Sequence, residues 1–272
     1  MELYRIISVV VLLGFALSGR VTMAQSNYVA NIGIGNKLMA VQIGSRESRA
    51  QFTSMDASWS VINGNWFASM NLEQSLKDGL QFYNEDILQN GSKIGYANGV
   101  IIHTRTDASL TVGYRLFAST SLFAGYREGQ TESYLSAIRK DNSAVEGISS
   151  HGKIKSRGMF AGLSVSHRFA GSSSLSASVA VAKLTGSASL AEPYVDTTSF
   201  QSDPSFPSDV KGDAVGFSYV MTWSNPISDR ASLNLKAKIH RYHFEDQKVY
   251  KGVDLSYNEN FTTSLLELTY RL

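Results

Sequence analysis

The chain has 272 residues, no Cys and a formal net charge of +2. Only 18% of its residues are charged, below the roughly 25% of an average soluble domain. The lack of Cys excludes disulfide frameworks, thiolate metal sites and cysteine nucleophiles, and so small a net charge offers no concentrated basic face for nucleic acid.

Residues 1–24 read as a secretory leader. Arg5 lies in a short basic start, an apolar run covers Ile6 to Leu17, and Thr22-Met23-Ala24 supplies a small-x-small cleavage site. The run is too short for a helix to cross a hydrocarbon core of ~30 Å, which takes about 20 residues. Cleavage after Ala24 leaves an exported domain over 25–272. No later segment reaches helical spanning length, so the exported chain is either a soluble protein or a barrel crossing a membrane with strands.

Alternation decides between them, because successive side chains of a strand point to opposite faces. The first strand, 27–44, changes parity near Asn36-Lys37, which suggests a bulge. Strands 52–62 and 65–72 follow, joined at Asn63-Gly64 by a two-residue turn of the I′ kind. In 98–117, Ala108, Leu110, Val112, Tyr114 and Leu116 oppose Ser109, Thr111, Gly113, Arg115 and Phe117. In 121–132, Leu122, Ala124 and Tyr126 oppose Ser121, Phe123, Gly125 and Arg127. The pattern repeats in 155–169, 174–188, 212–224, 229–243 and 258–272, where Leu266, Leu268, Tyr270 and Leu272 oppose Glu267, Thr269 and Arg271.

One face is thus apolar and the other carries Gly, Ser, Thr and charge. The strands reach the ~9–11 residues a tilted strand needs to cross a bilayer, and a small-residue polar face suits the crowded inside of a narrow barrel. Short turns alternate with the long polar stretches 73–97, 133–154, 190–211 and 244–258, which read as periplasmic turns and extracellular loops. Trp59, Trp66, Phe117, Phe169, Trp223 and Tyr270 fall near the short turns, where an interfacial aromatic girdle belongs. The expected fold is all-β: a closed antiparallel up-and-down transmembrane β-barrel of about ten strands. Eight remain if the first segment is a plug, and twelve form if 73–97 hides a hairpin.

The last strand, Leu266-x-Leu268-x-Tyr270-x-Leu272, resembles the C-terminal strand that the barrel-assembly machinery reads in bacterial outer-membrane proteins. The repeat Gly113-Tyr114-Arg115 and Phe123-Ala124-Gly125-Tyr126-Arg127 resembles the strand-turn-strand of small porin-like outer-membrane barrels of the Opa and OmpA type. The final residue is Leu272 where that family usually has Phe. The resemblance implies a Gram-negative outer membrane, with its lipid and lipopolysaccharide and the assembly machinery as partners. It implies no single activity, since this fold carries porins, adhesins, enzymes and inert anchors.

Parity sends Asp56, Glu73, Asp107 and Glu267 inward, together with Arg105, Arg115, Arg127, Arg168, Lys236, Lys238 and Arg271. Burying so many ions unpaired is prohibitively costly, and at least Glu267 is expected to pair with a neighbouring base. A salt-bridged, largely closed lumen is therefore expected, with surface loops left for contact with an extracellular ligand. The surplus of bases keeps a narrow, weakly anion-preferring channel as the alternative. An enzyme acting at the extracellular rim is the third reading: His240, His243, Glu245 and Asp246 stand near one strand end and Glu85 and Asp86 in a facing loop. The i, i+3 spacing of the two His, however, puts them on opposite strand faces. No His-x-Ser, P-loop, HExxH or EF-hand pattern occurs, and no catalytic residue, cofactor or metal is expected.

Overall fold

A computed structural model describes residues 26–43, 46–89, 92–141, 145–170, 172–191, 209–246, 249–250, 253–254 and 257–272. The expected leader and most of the stretch 190–211 lie outside these residues. The elements are β1 (Ser26–Ile43), β2 (Arg46–Asn63), β3 (Trp66–Lys77), β4 (Gly79–Gln89), β5 (Ser92–Phe117), β6 (Thr120–Asp141), β7 (Val145–Arg168), β8 (Ser174–Ala191), β9 (Asp209–Pro226), β10 (Ala231–Asp246), β11 (Val249–Tyr250), β12 (Val253–Asp254) and β13 (Tyr257–Arg271).

The large sheet is antiparallel and closes on itself. β1 pairs with β2 on one side and with β13 on the other, so the first and last strands seal the wall. β3 and β4, separated by Asp78, both lie along β5, β3 against Thr106–Tyr114 and β4 against Ser92–His103. The wall is therefore a closed barrel of ten staves, with β4 an extension beyond the ring. β11 and β12 form a two-stranded ribbon between β10 and β13.

The outward parity matches the alternation. Ile32, Leu110, Val112, Leu163, Phe217, Leu235 and Leu268 are exposed on the outer wall. At the short-turn end Trp66, Phe117, Phe169, Trp223 and Tyr270 are exposed as well, Trp66 packs edge-on against Tyr114 at 4.9 Å, and Trp59 stacks on Tyr28 at 5.8 Å. An indole or phenol ring suits this level because one end is apolar and the other reaches water.

Three local expectations are corrected. The parity change at Asn36-Lys37 is not a bulge: β1 pairs continuously with both neighbours, and Lys37, Met39 and Val41 all point inward. The apparent flip arises because the lumen itself turns apolar at that height. The β2–β3 turn has Gly64 and Asn65 at its centre, between the paired Asn63 and Trp66. Only Gly64 has a positive φ, 58°, which is the II′ arrangement with Gly first rather than I′.

The third correction concerns the stretches 73–97 and 133–154. They are largely strand: β4 pairs with β5 back to Ser92, and β6 pairs with β7 out to Lys140 and Val145. Beyond the bilayer both faces of a hairpin meet water, so the ladder continues while the alternation that reveals it fades. β5, β6 and β7 hold 26, 22 and 24 residues, well over the ~9–11 that span the membrane.

The outer wall generates one test. Leu235 points outward in β10 within the apolar band, so Leu235→Arg is expected to cost about 2–4 kcal/mol of folding free energy in lipid. Reversible denaturant unfolding in bilayers measures it, and a cost near zero would mean the facing is inverted.

Candidate functional site

The lumen is filled in layers, and strand parity decides which side chains enter it. On the long-hairpin side most inward positions are apolar, although Glu259 stands between Tyr257 and Phe261 on the same face of β13. Met39, Val41, Phe52, Ile154, Leu184, Tyr242, Phe244, Tyr257 and Phe261 form one buried cluster. Phe244 and Tyr257 stack at 4.3 Å with ring planes 6° apart. The space for them comes from the wall: a Cβ on Gly186 would meet Phe244 carbons at 2.5 Å, and one on Gly216 would meet the Tyr242 ring at 2.2 Å. These glycines permit close approach rather than an unusual backbone.

Beneath this cluster lies a layer of charge. Asp107 on β5 accepts from three cations: Lys37 Nζ at 2.5 Å, Arg105 through Nε at 2.8 Å and Nη2 at 2.7 Å, and Arg127 Nη2 at 3.1 Å. Lys37 also reaches Glu73 at 2.9 Å. Glu73 is held in turn by Lys238 at 3.0 Å, and Lys238 bonds Asp56, which accepts from Asn71 at 2.8 Å. Arg105 lies 3.8 Å from Glu259, donates to Thr131 at 2.8 Å and packs its guanidinium on the Phe261 ring at 3.8 Å. Phe261 thus joins the apolar layer to the ionic one through a cation–π contact.

Arg127 is fixed from the other side. It donates to Tyr242, whose hydroxyl lies 2.9 Å from Ser218 Oγ, and Ser218 lies 2.8 Å from His240 Nδ1. Lys236 pairs with Glu267 at 2.5 Å as a separate bridge between β10 and β13. On the short-turn side of the charges sits a cavity of about 330 Å³, lined among others by Ser58, Ser60, Ser69, Ser109, Thr111 and Ser178.

Of the inward charges read from parity, Asp56, Glu73, Arg105, Asp107, Arg127, Lys236, Lys238 and Glu267 stand in the lumen and pair there. Arg115, Arg168 and Arg271 lie exposed at the short-turn rim, where the strands end and water takes their charge. Lys37 and Glu259 are the lumen charges that reading missed. Glu259 shares the parity of Glu267 and could have been found by extending the last strand's alternation; Lys37 was hidden by the supposed bulge. The described lumen therefore holds five acids (Asp56, Glu73, Asp107, Glu259, Glu267) and five bases (Lys37, Arg105, Arg127, Lys236, Lys238). The expected basic surplus is absent from it.

The histidines do not converge. His240 is enclosed in the lumen against Ser218, whereas His243 points outward and contacts Asn258 at 2.6 Å. His103 meets Ser133 at 2.7 Å, His151 stacks on Tyr134 at 4.4 Å, and His167 lies edge-on to Phe169 at 4.9 Å. Among the described residues no three His, Asp or Glu side chains could hold a metal ion. The side chains of Glu85, Asp86 and Asp246 lie outside the described set.

No family model matches the chain, and no curated protein matches it in sequence. Among solved structures, the outer-membrane protease OmpT from Escherichia coli aligns with a TM-score of 0.61 at 11% identity, covering 94% of this chain and 100% of that one. The translocator domain of the autotransporter NalP from Neisseria meningitidis aligns with a TM-score of 0.48 at 11% identity, covering 98% of each chain. At such identity the likeness to OmpT is one of fold alone.

The charge layer predicts a stability effect. Asp107→Asn leaves Lys37, Arg105 and Arg127 without their common carboxylate and is expected to cost about 3–5 kcal/mol. Loss of the heat-resistant folded band at lower temperature on gels would report it, and an unchanged midpoint would count against the shared role of Asp107.

Proposed function

Taking the chain as a barrel of the bacterial outer-membrane kind, we propose that it is a non-catalytic envelope protein with a sealed lumen, whose projecting hairpins and loops make the contacts that matter outside. It is exported by the leader 1–24 and inserted into a Gram-negative outer membrane by the assembly machinery, which reads Leu266, Leu268, Tyr270 and Leu272. It needs no cofactor or metal.

One observation carries the reading: an apolar layer and a paired ionic layer are stacked across the same lumen. Phe52, Phe244, Tyr257 and Phe261 are each no more than 1% exposed. An ion crossing here would have to displace close-packed rings and then break a network in which the charges are already paired, and both steps are costly. Among the described residues the equal numbers of luminal acids and bases remove the electrostatic argument for anions. The described histidines near the outer rim sit in separate contacts, His103 on Ser133, His151 on Tyr134 and His243 on Asn258, rather than in one shared site.

Conductance in planar bilayers is the direct test. Purified wild type is expected to give no stable single-channel steps at either polarity, while the triple variant Phe244→Ala, Tyr257→Ala, Phe261→Ala, which empties the apolar layer, should leak. Stable anion-selective steps from the wild type would overturn the sealed lumen in favour of a channel. Fractionation tests the location: the mature chain should be recovered with outer membranes and migrate differently on gels before and after boiling. Folded protein recovered from the periplasm without detergent would contradict it.

A further inference from the structure

On the long-hairpin side one strand edge has no neighbour in the ladder. β3 ends at Lys77, and the strand that continues it, β4, pairs with β5 on one side. Among the described residues no strand pairs with its other edge. Its foot is tied to β2: a Cβ on Gly79 would meet the Phe52 ring at 2.8 Å, and the Arg49 N–H donates to Gln81 Oε1 at 3.1 Å. Only Arg46, Glu47 and Ser48 of β2 remain beyond Arg49, whereas β4 runs on from Gln81 to Gln89. The upper part of β4 thus overtops β2 and forms the edge of a projecting sheet with β5, β6 and β7.

Backbone direction on that edge follows from β5. The Arg115 N–H donates to Asn65 O and the Arg105 N–H to Ser75 Oγ, both on the β3 side. Alternate residues of an antiparallel strand turn their N–H and C=O to opposite neighbours, so Ile101, Gly99 and Ala97 hold Gln81, Tyr83 and Glu85. Asn84 and Asp86 therefore turn their N–H and C=O to the open side. The register is unbroken from Gly79 to Ile87, and β4 holds no Lys, Arg or Pro, residues that commonly defend an edge. The outward face beside it is apolar. Phe82 is 84% exposed and Leu80 52%. They pair with Val100 and Ile102, and Ile102 pairs in turn with exposed Tyr134 on β6. This patch stands apart from the lipid-facing band, which ends on β5 at Ala108 and is followed by Thr106 and Thr104. Val100 lies about 26 Å along the strand from Ala108, at about 3.3 Å per residue.

We propose that the upper edge of β4 takes up an extended, basic segment of another protein as an added strand. An open ladder is completed by a backbone in register, and apolar side chains of the added strand then lie against Phe82 and Leu80. Glu85 and Asp86 are the charged residues of β4, so Lys or Arg suits the positions across from them. The same acids argue against a second copy as the occupant. Two copies in one membrane are related by an axis along its normal, so their β4 strands would meet parallel, with Glu85 beside Glu85. The inference rests on the reading of the projecting hairpins as the outer contact surface, and it names the edge and the partner's chemistry.

Fluorescence anisotropy on the detergent-purified, heat-modifiable barrel tests it, with a short labelled peptide in which Val alternates with Lys and Thr as the probe. Wild type is expected to bind the peptide. Asn84→Pro removes an N–H from the open edge and none from the β5 ladder, and should bind at least about ten-fold more weakly. Phe82→Ser should weaken binding as well. The same peptide N-methylated along both edges, or with Glu in place of Lys, should not bind wild type. Equal binding of the N-methylated peptide overturns strand addition, even if Asn84→Pro does not fold. Equal binding by folded Asn84→Pro, or no binding by wild type, overturns it too, and equal binding of the Glu peptide overturns the basic partner. A wild-type dimer that Asn84→Pro dissolves would give the edge to a second copy instead. Because every arm uses the purified barrel and none reads conductance or fractionation, failure here is distinct from failure of the sealed lumen or of the membrane location.

Discussion

Everything in this molecule follows from the demand that lipid makes on a polypeptide backbone. No water is available in the hydrocarbon core to take up a stray N–H or C=O, so a sheet that crosses it must have no open edge there. The pairing of β1 with β13, from Val29 and Arg271 out to Ile43 and Tyr257, meets that demand by joining the ends of the chain in one ladder. The backbone bond from Leu272 to Tyr28 extends the closure to the last residue. Closure then creates a second problem, an interior that must be filled.

The interior is filled by two kinds of matter that would be unfavourable alone. Charges removed from water need partners, and the partners come from staves distant in sequence: Lys37 on β1, Asp56 on β2, Glu73 on β3, Asp107 on β5, Arg127 on β6, Lys238 on β10 and Glu259 on β13. Links such as Lys37–Asp107, Lys37–Glu73 and Lys238–Glu73 tie non-adjacent strands across the lumen, so the network acts as a brace as well as a neutralising set. The aromatic layer above it excludes water from one side and contributes dispersion contacts. Phe261, with the Arg105 guanidinium 3.8 Å from its ring centre, belongs to both layers. A barrel braced in this way presents a rigid base for hairpins that run far past the membrane.

Legibility of these features differs sharply by location. The outer face of 108–117, 215–224 and 232–240 could be read from the chain because lipid imposes one rule on every second residue. Inside, the rule holds only in part. Gly, Ser and Thr mark the short-turn half, but Met39, Val41, Phe52 and Phe244 break the polar pattern in the other half, where packing rather than hydration sets the residue type. That is why β1 looked irregular and why Lys37 escaped notice. Arg115, Arg168 and Arg271 share the parity of the luminal charges yet stand at the rim, since parity says which face a residue takes and not how high it stands.

The sequence by itself determined that the chain is a strand-built barrel of about ten staves, which residues face outward, where the aromatic girdle lies and which end carries the short turns, because each depends on nearest neighbours along one strand. Only the tertiary structure decided that the polar stretches 73–97 and 133–154 continue as paired hairpins, that the charges of the described lumen balance and that a packed aromatic layer lies over them. Those features arise between residues far apart in the chain, as with Lys238 and Asp56 or Arg105 and Phe261. Their juxtaposition exists only once the ladder has closed and set every strand's height against its neighbour's.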